Sequence, residues 1–98
     1  MIIYVDIDNT ITVTNGMKYM SAYPIYSKIK KINELYDFGN HIVYWTARGM
    51  GSGIDYRELT ETQLLEWGCK YHELRMDKPV YDVFIDDKNL SDINQLYE

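Results

Sequence analysis

A chain of 98 residues with 46% hydrophobic and 14% aromatic content is sized for one domain with its own core, spanning 1–98, and its composition excludes a disordered polypeptide. The formal net charge of -5 argues against non-specific nucleic-acid binding; Lys28, Lys30 and Lys31 fit the wet face of a helix better than a binding patch. One cysteine, Cys69, excludes an internal disulfide framework, and no apolar stretch reaches the length of a membrane span or signal-peptide core, so the expected setting is cytoplasmic with no membrane partner.

In chain order, Ile2, Ile3, Tyr4 and Val5 predict a strand over about residues 2–7, running directly into Asp6 and Asp8. The segment 11–20 then reads as a small β-hairpin around Asn15-Gly16. Pro24 suits the first turn of a helix carrying Ile25, Ile29, Ile32, Leu35 and Tyr36, with Gly39 as a left-handed terminator. His41–Trp45 is a nearly continuous apolar run, as expected of a strand covered on both faces.

After the glycine-bearing loop that begins Ala47-Arg48-Gly49, Asp55 and Glu58 stand at capping-box-like spacing before a second helix with Leu59, Leu64 and Trp67, closed by Gly68. Residues 69–74 form a weaker strand candidate. Val83–Ile85 predicts the last strand, ending in Asp86 and Asp87, and Ser91 caps a short final helix with Ile93, Leu96 and Tyr97 inward. Alternating strands and helices predict an α/β domain with a parallel sheet and helices on both faces. Ligands of such sheets bind beyond the carboxyl ends of the strands, which is where Asp6, Thr46 and Asp86 fall.

Four carboxylates, Asp6, Asp8, Asp86 and Asp87, are thereby expected at one edge. Each close pair costs roughly 4 kcal/mol in repulsion at about 4 Å and an effective dielectric near 20. A hard divalent cation relieves that repulsion, and ligands that are all oxygen favour Mg²⁺ over zinc. Asp86 is expected to bind the metal directly and Asp87 mostly through water, because adjacent residues on a strand face opposite ways. Thr46 and Lys78 supply a hydroxyl and a cation for a phosphate group, and Arg48 is either a further substrate contact or a solvated loop residue. Asp55 reads as a helix cap rather than a ligand. The set suits phosphoryl transfer with a carboxylate nucleophile.

The order Asp6-Ile7-Asp8-Asn9-Thr10, strand-ending Thr46, Lys78 and Asp86-Asp87 resembles the four motifs of the haloacid dehalogenase (HAD) superfamily of phosphohydrolases. The resemblance implies a three-layer, Rossmann-like sheet without a cap domain, the 11–20 hairpin standing as the flap beside the site. It implies Asp6 as the nucleophile that becomes an aspartyl phosphate and Asp8 as the acid–base group. Asp6, Asp86 and the Asp8 carbonyl would surround Mg²⁺, and Thr46 and Lys78 would hold the phosphoryl group.

The capless pattern further implies a neighbouring subunit of a homo-oligomer helping to cover the site. The segments around residues 44–49, 53–74 and 78–88 also resemble small bacterial HAD proteins linked to capsule or surface-polysaccharide synthesis. The expected activity is hydrolysis of a small phosphorylated metabolite such as a sugar phosphate. The alternatives are a phosphate- and Mg²⁺-binding regulatory module without turnover, or a subunit of a polysaccharide-synthesis assembly.

Overall fold

The computed structural model describes residues 1–96. Three parallel strands, β1 (Ile2–Val5), β4 (His41–Trp45) and β5 (Glu73–Arg75), form the sheet in the order β1-β4-β5. A separate two-stranded antiparallel ribbon joins β2 (Thr12–Val13) to β3 (Tyr23–Pro24). Two α-helices, α1 (Tyr26–Asp37) and α2 (Arg57–Glu66), connect the parallel strands. No described helix is long and apolar enough to cross a membrane.

The register pairs Ile3 with Ile42 and Val5 with Tyr44, while Tyr44 pairs with Leu74 across the other ladder. Paired residues of a ladder share a face, so these side chains stand together on one side of the sheet. They join Ile29, Ile32 and Leu35 of α1 and Leu64 of α2 in a single buried cluster. Asn33 of α1 also holds the segment that follows α2, donating to the Gly68 carbonyl and accepting from the Lys70 N–H. Both α-helices therefore lie on one face, which corrects the expectation of helices on both. The cause is topological. Two successive right-handed crossovers moving the same way along a sheet place their helices on the same side. The opposite face carries Tyr4, packed edge-on against Trp45, with no α-helix among the described residues.

The remaining differences from the sequence reading are local. The flap is wider than 11–20: its return strand is Tyr23–Pro24, and a short 3-10 turn at Tyr19–Ser21 occupies part of the intervening chain. Pro24 thus belongs to β3, and α1 begins two residues later. Gly39 and Gly68 have φ of +95° and +72°, as expected of left-handed terminators. Asp55 accepts a hydrogen bond from the Arg57 N–H at 3.0 Å and so steadies the entry to α2.

The predicted strand at Val83–Ile85 does not form. No strand pairs with it, and residues 79–92 are exposed throughout. A 3-10 turn at Ile93–Gln95 follows, capped by Asp92 rather than Ser91; Tyr97 lies outside the described residues.

Candidate functional site

The polypeptide turns sharply where β1 ends. Asn9 has φ +62°, a left-handed conformation that asparagine tolerates better than most residues, and the Thr10 and Ile11 N–H groups both donate to the Ile7 carbonyl. The Asn9 side chain accepts from the Thr14 N–H at 3.0 Å, and the Asn9 N–H donates to the Thr12 hydroxyl. Ile7 is buried in the core, while Asp6 and Asp8 on either side of it reach the same pocket by different routes.

Asp6 is partly exposed. Its Oδ2 accepts from the Thr10 hydroxyl at 3.2 Å, and its Oδ1 lies 3.4 Å from the Lys78 ammonium. Lys78 reaches that position because the chain extends the β4–β5 ladder past its ends: the Thr46 N–H donates to the Arg75 carbonyl and the Lys78 N–H to the Thr46 carbonyl. Thr46 and Lys78 are thereby fixed side by side. The Thr46 hydroxyl accepts from the Arg48 N–H at 3.2 Å, so its own hydrogen can point elsewhere. The Lys78 ammonium also stands over the Trp45 and Tyr81 rings, at 5.8 and 5.5 Å from their centroids.

Asp8 has a different partner. Arg48 grips it with two parallel bonds, Nε to Oδ2 at 2.9 Å and Nη2 to Oδ1 at 2.8 Å. The Thr14 hydroxyl donates to Oδ1 at 2.8 Å. The Arg48 side chain is wholly buried, and its Nη1 donates to Thr60 and Gln63 of α2 at 3.1 and 2.6 Å. Its guanidinium also stacks over the Tyr19 ring of the flap at 4.9 Å, and Gln63 donates to the Tyr19 carbonyl. Burial and the Asp8 carboxylate push the Tyr19 phenol above its ordinary range. Arg48 is thus neither a solvated loop residue nor a free substrate ligand: four of its five N–H donors are directed to protein atoms.

The two adjacent carboxylates are therefore balanced separately, Asp6 by Lys78 and Asp8 by Arg48. This differs from the expected single divalent ion shared among four aspartates. Asp86 lines the same groove as Asp6 and Lys78, yet Asp86 and Asp87 belong to an exposed irregular segment. Among the described residues, no three His, Cys, Asp or Glu side chains gather closely enough to hold a metal ion. As arranged here, the donor set does not fit a completed Mg²⁺ site.

Asp77, directly before Lys78, does not face the site as an uncompensated charge. Arg75 binds it at 2.8 Å and Trp45 Nε1 donates to it at 2.9 Å. The Arg75 hydrogen bond, seconded by Trp45, holds its carboxyl below the usual range.

Two concavities flank Asp6. One, of about 330 Å³, is bordered by Asp6, Asp8, Thr46, Arg48, Lys78 and Tyr81 and opens beyond the carboxyl ends of β1 and β4. The other, a groove of about 860 Å³, runs along the unpaired outer edge of β1 between Ile2 and Tyr4 and the tail residues Phe84 and Asp86.

Sequence reasoning missed Thr10, Thr14, Tyr19, Thr60 and Gln63. A signal existed for the last two. On an amphipathic helix, polar residues on the inward face need a polar partner, and here that partner is Arg48.

No family model matches the sequence, and no curated protein matches it. Among solved structures, a structural-genomics target from Vibrio cholerae aligns with a TM-score of 0.78 at 25% identity, covering 95% of this chain and 93% of that one. That protein carries no functional name, so the likeness speaks for a shared small α/β architecture built on a parallel sheet.

Proposed function

We propose that the protein is a capless phosphatase of the haloacid dehalogenase type, acting on a small phosphorylated metabolite such as a sugar phosphate. The observation that carries this reading is the meeting of Asp6, Thr46 and Lys78 around one pocket at the carboxyl edge of the parallel strands, with the ammonium 3.4 Å from the carboxylate. A phosphoryl group seated there would meet a carboxylate nucleophile, a lysine to balance its charge and a threonine hydroxyl to orient it.

In the first step an Asp6 oxygen attacks phosphorus, the bond to the leaving oxygen breaks, and that oxygen takes a proton from Asp8. In the second step water attacks the phosphorus of the Asp6 acyl phosphate while Asp8 takes its proton, releasing inorganic phosphate and returning Asp6 to a carboxylate and Asp8 to its protonated form. Lys78 and Thr46 hold the transferring group through both steps. The pocket volume suits a phosphate with a small leaving group.

The Mg²⁺ expectation rests on the tail. If residues 83–86 added to the open edge of β1 as a parallel strand, Asp86 would come beside Asp6, and the sheet would gain a fourth strand. Titration calorimetry with MgCl₂, with and without inorganic phosphate, tests this directly: uptake that disappears in Asp86→Ala supports the completed site, and no uptake under either condition removes the metal from the proposal.

The activity itself is tested with p-nitrophenyl phosphate. Asp6→Asn should abolish turnover while leaving the circular dichroism spectrum unchanged; retained activity removes Asp6 as nucleophile. Labelling with acetyl phosphate separates the enzyme from a regulatory module. Phosphate lost from Asp6 within seconds to minutes supports hydrolysis, whereas an acyl phosphate stable for hours supports a switch.

A further inference from the structure

Asp8 is held unusually completely for a group that must exchange protons. An ionised carboxylate offers about four lone-pair sites. On Oδ1, the Arg48 Nη2 hydrogen and the Thr14 hydroxyl occupy both. On Oδ2, Arg48 Nε occupies one. Among the described residues nothing fills the last.

Thr14 is itself oriented. Its hydroxyl lies 2.6 Å from that of Thr12, and Thr12 accepts from the Asn9 N–H, so a chain of hydroxyls can run from Thr12 through Thr14 to Asp8. Both threonines are buried, as are the Thr60 and Gln63 side chains that hold the far side of Arg48. The guanidinium is thus fixed by α2 before it meets Asp8, and it has one N–H left for anything else.

We propose that Arg48 is a positioning residue, which together with Thr14 fixes the Asp8 carboxylate so that a single lone pair, on Oδ2, exchanges the proton with the reacting oxygen. This rests on the phosphatase reading above and adds a division of labour to it: Lys78 and Thr46 face the phosphoryl group, whereas Arg48 acts through Asp8. The Tyr19 ring stacked on Arg48 ties the same element to the flap.

The role has a distinct kinetic signature. A residue that binds phosphate contributes alike for every phosphomonoester, and its loss raises KM. A residue that orients the acid matters most where the leaving oxygen needs a proton, and its loss lowers kcat.

The test compares p-nitrophenyl phosphate, a good leaving group, with glycerol phosphate, a poor one, in the wild type, Arg48→Lys, Thr14→Val and Thr14→Ser. Lysine cannot reproduce a two-pronged grip. Arg48→Lys should lower kcat/KM, which reports formation of the acyl phosphate, by about 10- to 100-fold for the alkyl ester and by much less for the aryl ester, with the loss in kcat rather than in KM. Thr14→Val should shift kcat in the same sense by about 5- to 10-fold, and Thr14→Ser should restore it.

A rise in KM alone, or an equal loss of kcat/KM for the two esters, overturns the proposal while leaving the phosphatase intact. Should Arg48→Lys fail to fold by circular dichroism, Thr14→Val decides by the same criteria. A wild-type protein that neither turns over nor forms an acyl phosphate at Asp6 overturns the phosphatase reading, and this proposal falls with it.

Discussion

The loop after β1 and the segment after β5 are written in nearly the same letters. Each has a short apolar run followed by a pair of aspartates: Ile2 to Val5 before Asp6 and Asp8, and Val83 to Ile85 before Asp86 and Asp87. The first run pairs residue for residue with β4, and its aspartates find Lys78 and Arg48. The second pairs with nothing and leaves Ile85 93% exposed. An apolar run becomes a strand when a ladder and a covered face are both available. Propensity alone does not supply either.

The largest expected effect lies in that contrast. Asp8→Ala leaves a buried guanidinium without its carboxylate, which costs about 3–5 kcal/mol. That is a large share of the ~5–15 kcal/mol that holds a domain of this kind. Asp86→Ala removes an exposed group and should stay within about 0.5 kcal/mol. Urea unfolding of the two variants measures both. Comparable losses would mean that the tail is as firmly built as the loop, and the contrast would dissolve. A practical consequence follows for activity assays: Asp8 variants confound folding with chemistry, whereas Asp6, partly exposed and held by a more open ion pair, can be changed more safely.

A second effect tests how rigidly Arg48 is delivered. Gly49 follows it at φ +84°, and a Cβ there would collide with the Ile54 carbonyl. Gly49→Ala should therefore destabilise by about 1–3 kcal/mol through backbone strain and the forced shift of the loop. It should also lower kcat, since the Arg48 N–H to Thr46 bond begins one residue earlier. Unchanged stability would show that this loop yields easily.

Much of the sheet and both helices were legible, because β1 and β4 are apolar runs and α1 repeats its isoleucines and leucine at helical spacing. Asp6 and Thr46 were legible because each follows an apolar strand at the same sheet edge, the rule that also placed Asp86 there; Lys78 was legible only as a cation for phosphate, and its place beside Thr46 comes from the extended β4–β5 ladder. Arg48 was not legible. Its position depends on Asp8, which lies 40 residues earlier, and on Thr60 and Gln63, which lie 12 and 15 residues later. No local pattern encodes that triangle. The tail was misread for the opposite reason: its local pattern is strand-like, and what it lacks is a partner.

A smaller effect probes the well-built half from within. The Tyr44 hydroxyl is buried in the core without a hydrogen-bond partner of good geometry, the Cys69 sulfur being its polar neighbour. Burial pushes the Cys69 thiol from its ordinary 9.0 to about 11 and lifts the Tyr44 phenol well above 10.0. A raised acid of this type holds its proton longer in the folded state than in the unfolded one. Its contribution is complete below the unfolded value and is lost as pH climbs toward the folded one. Thermal melts should accordingly show the melting temperature falling between pH 9.0 and about 11. Tyr44→Phe should stabilise by up to about 1 kcal/mol at neutral pH and flatten the alkaline decline. A destabilised Tyr44→Phe would mean that the hydroxyl has a partner after all.

The smallest effect sharpens the comparison most. Ile85→Pro removes an N–H that no sheet partner engages, so without ligand it should change stability by less than about 0.5 kcal/mol. A ladder is a different environment, because even on an edge strand proline is tolerated only where its N–H would face solvent and deletes a hydrogen bond where it would face the partner strand. If phosphate and Mg²⁺ draw residues 83–86 onto the open edge of β1, the substitution becomes costly only in their presence. The readout is then the ligand-induced rise in melting temperature, expected in the wild type and lost in Ile85→Pro. An equal rise in both would place ligand binding wholly within the Asp6, Thr46 and Lys78 pocket, and the tail would have no part in it.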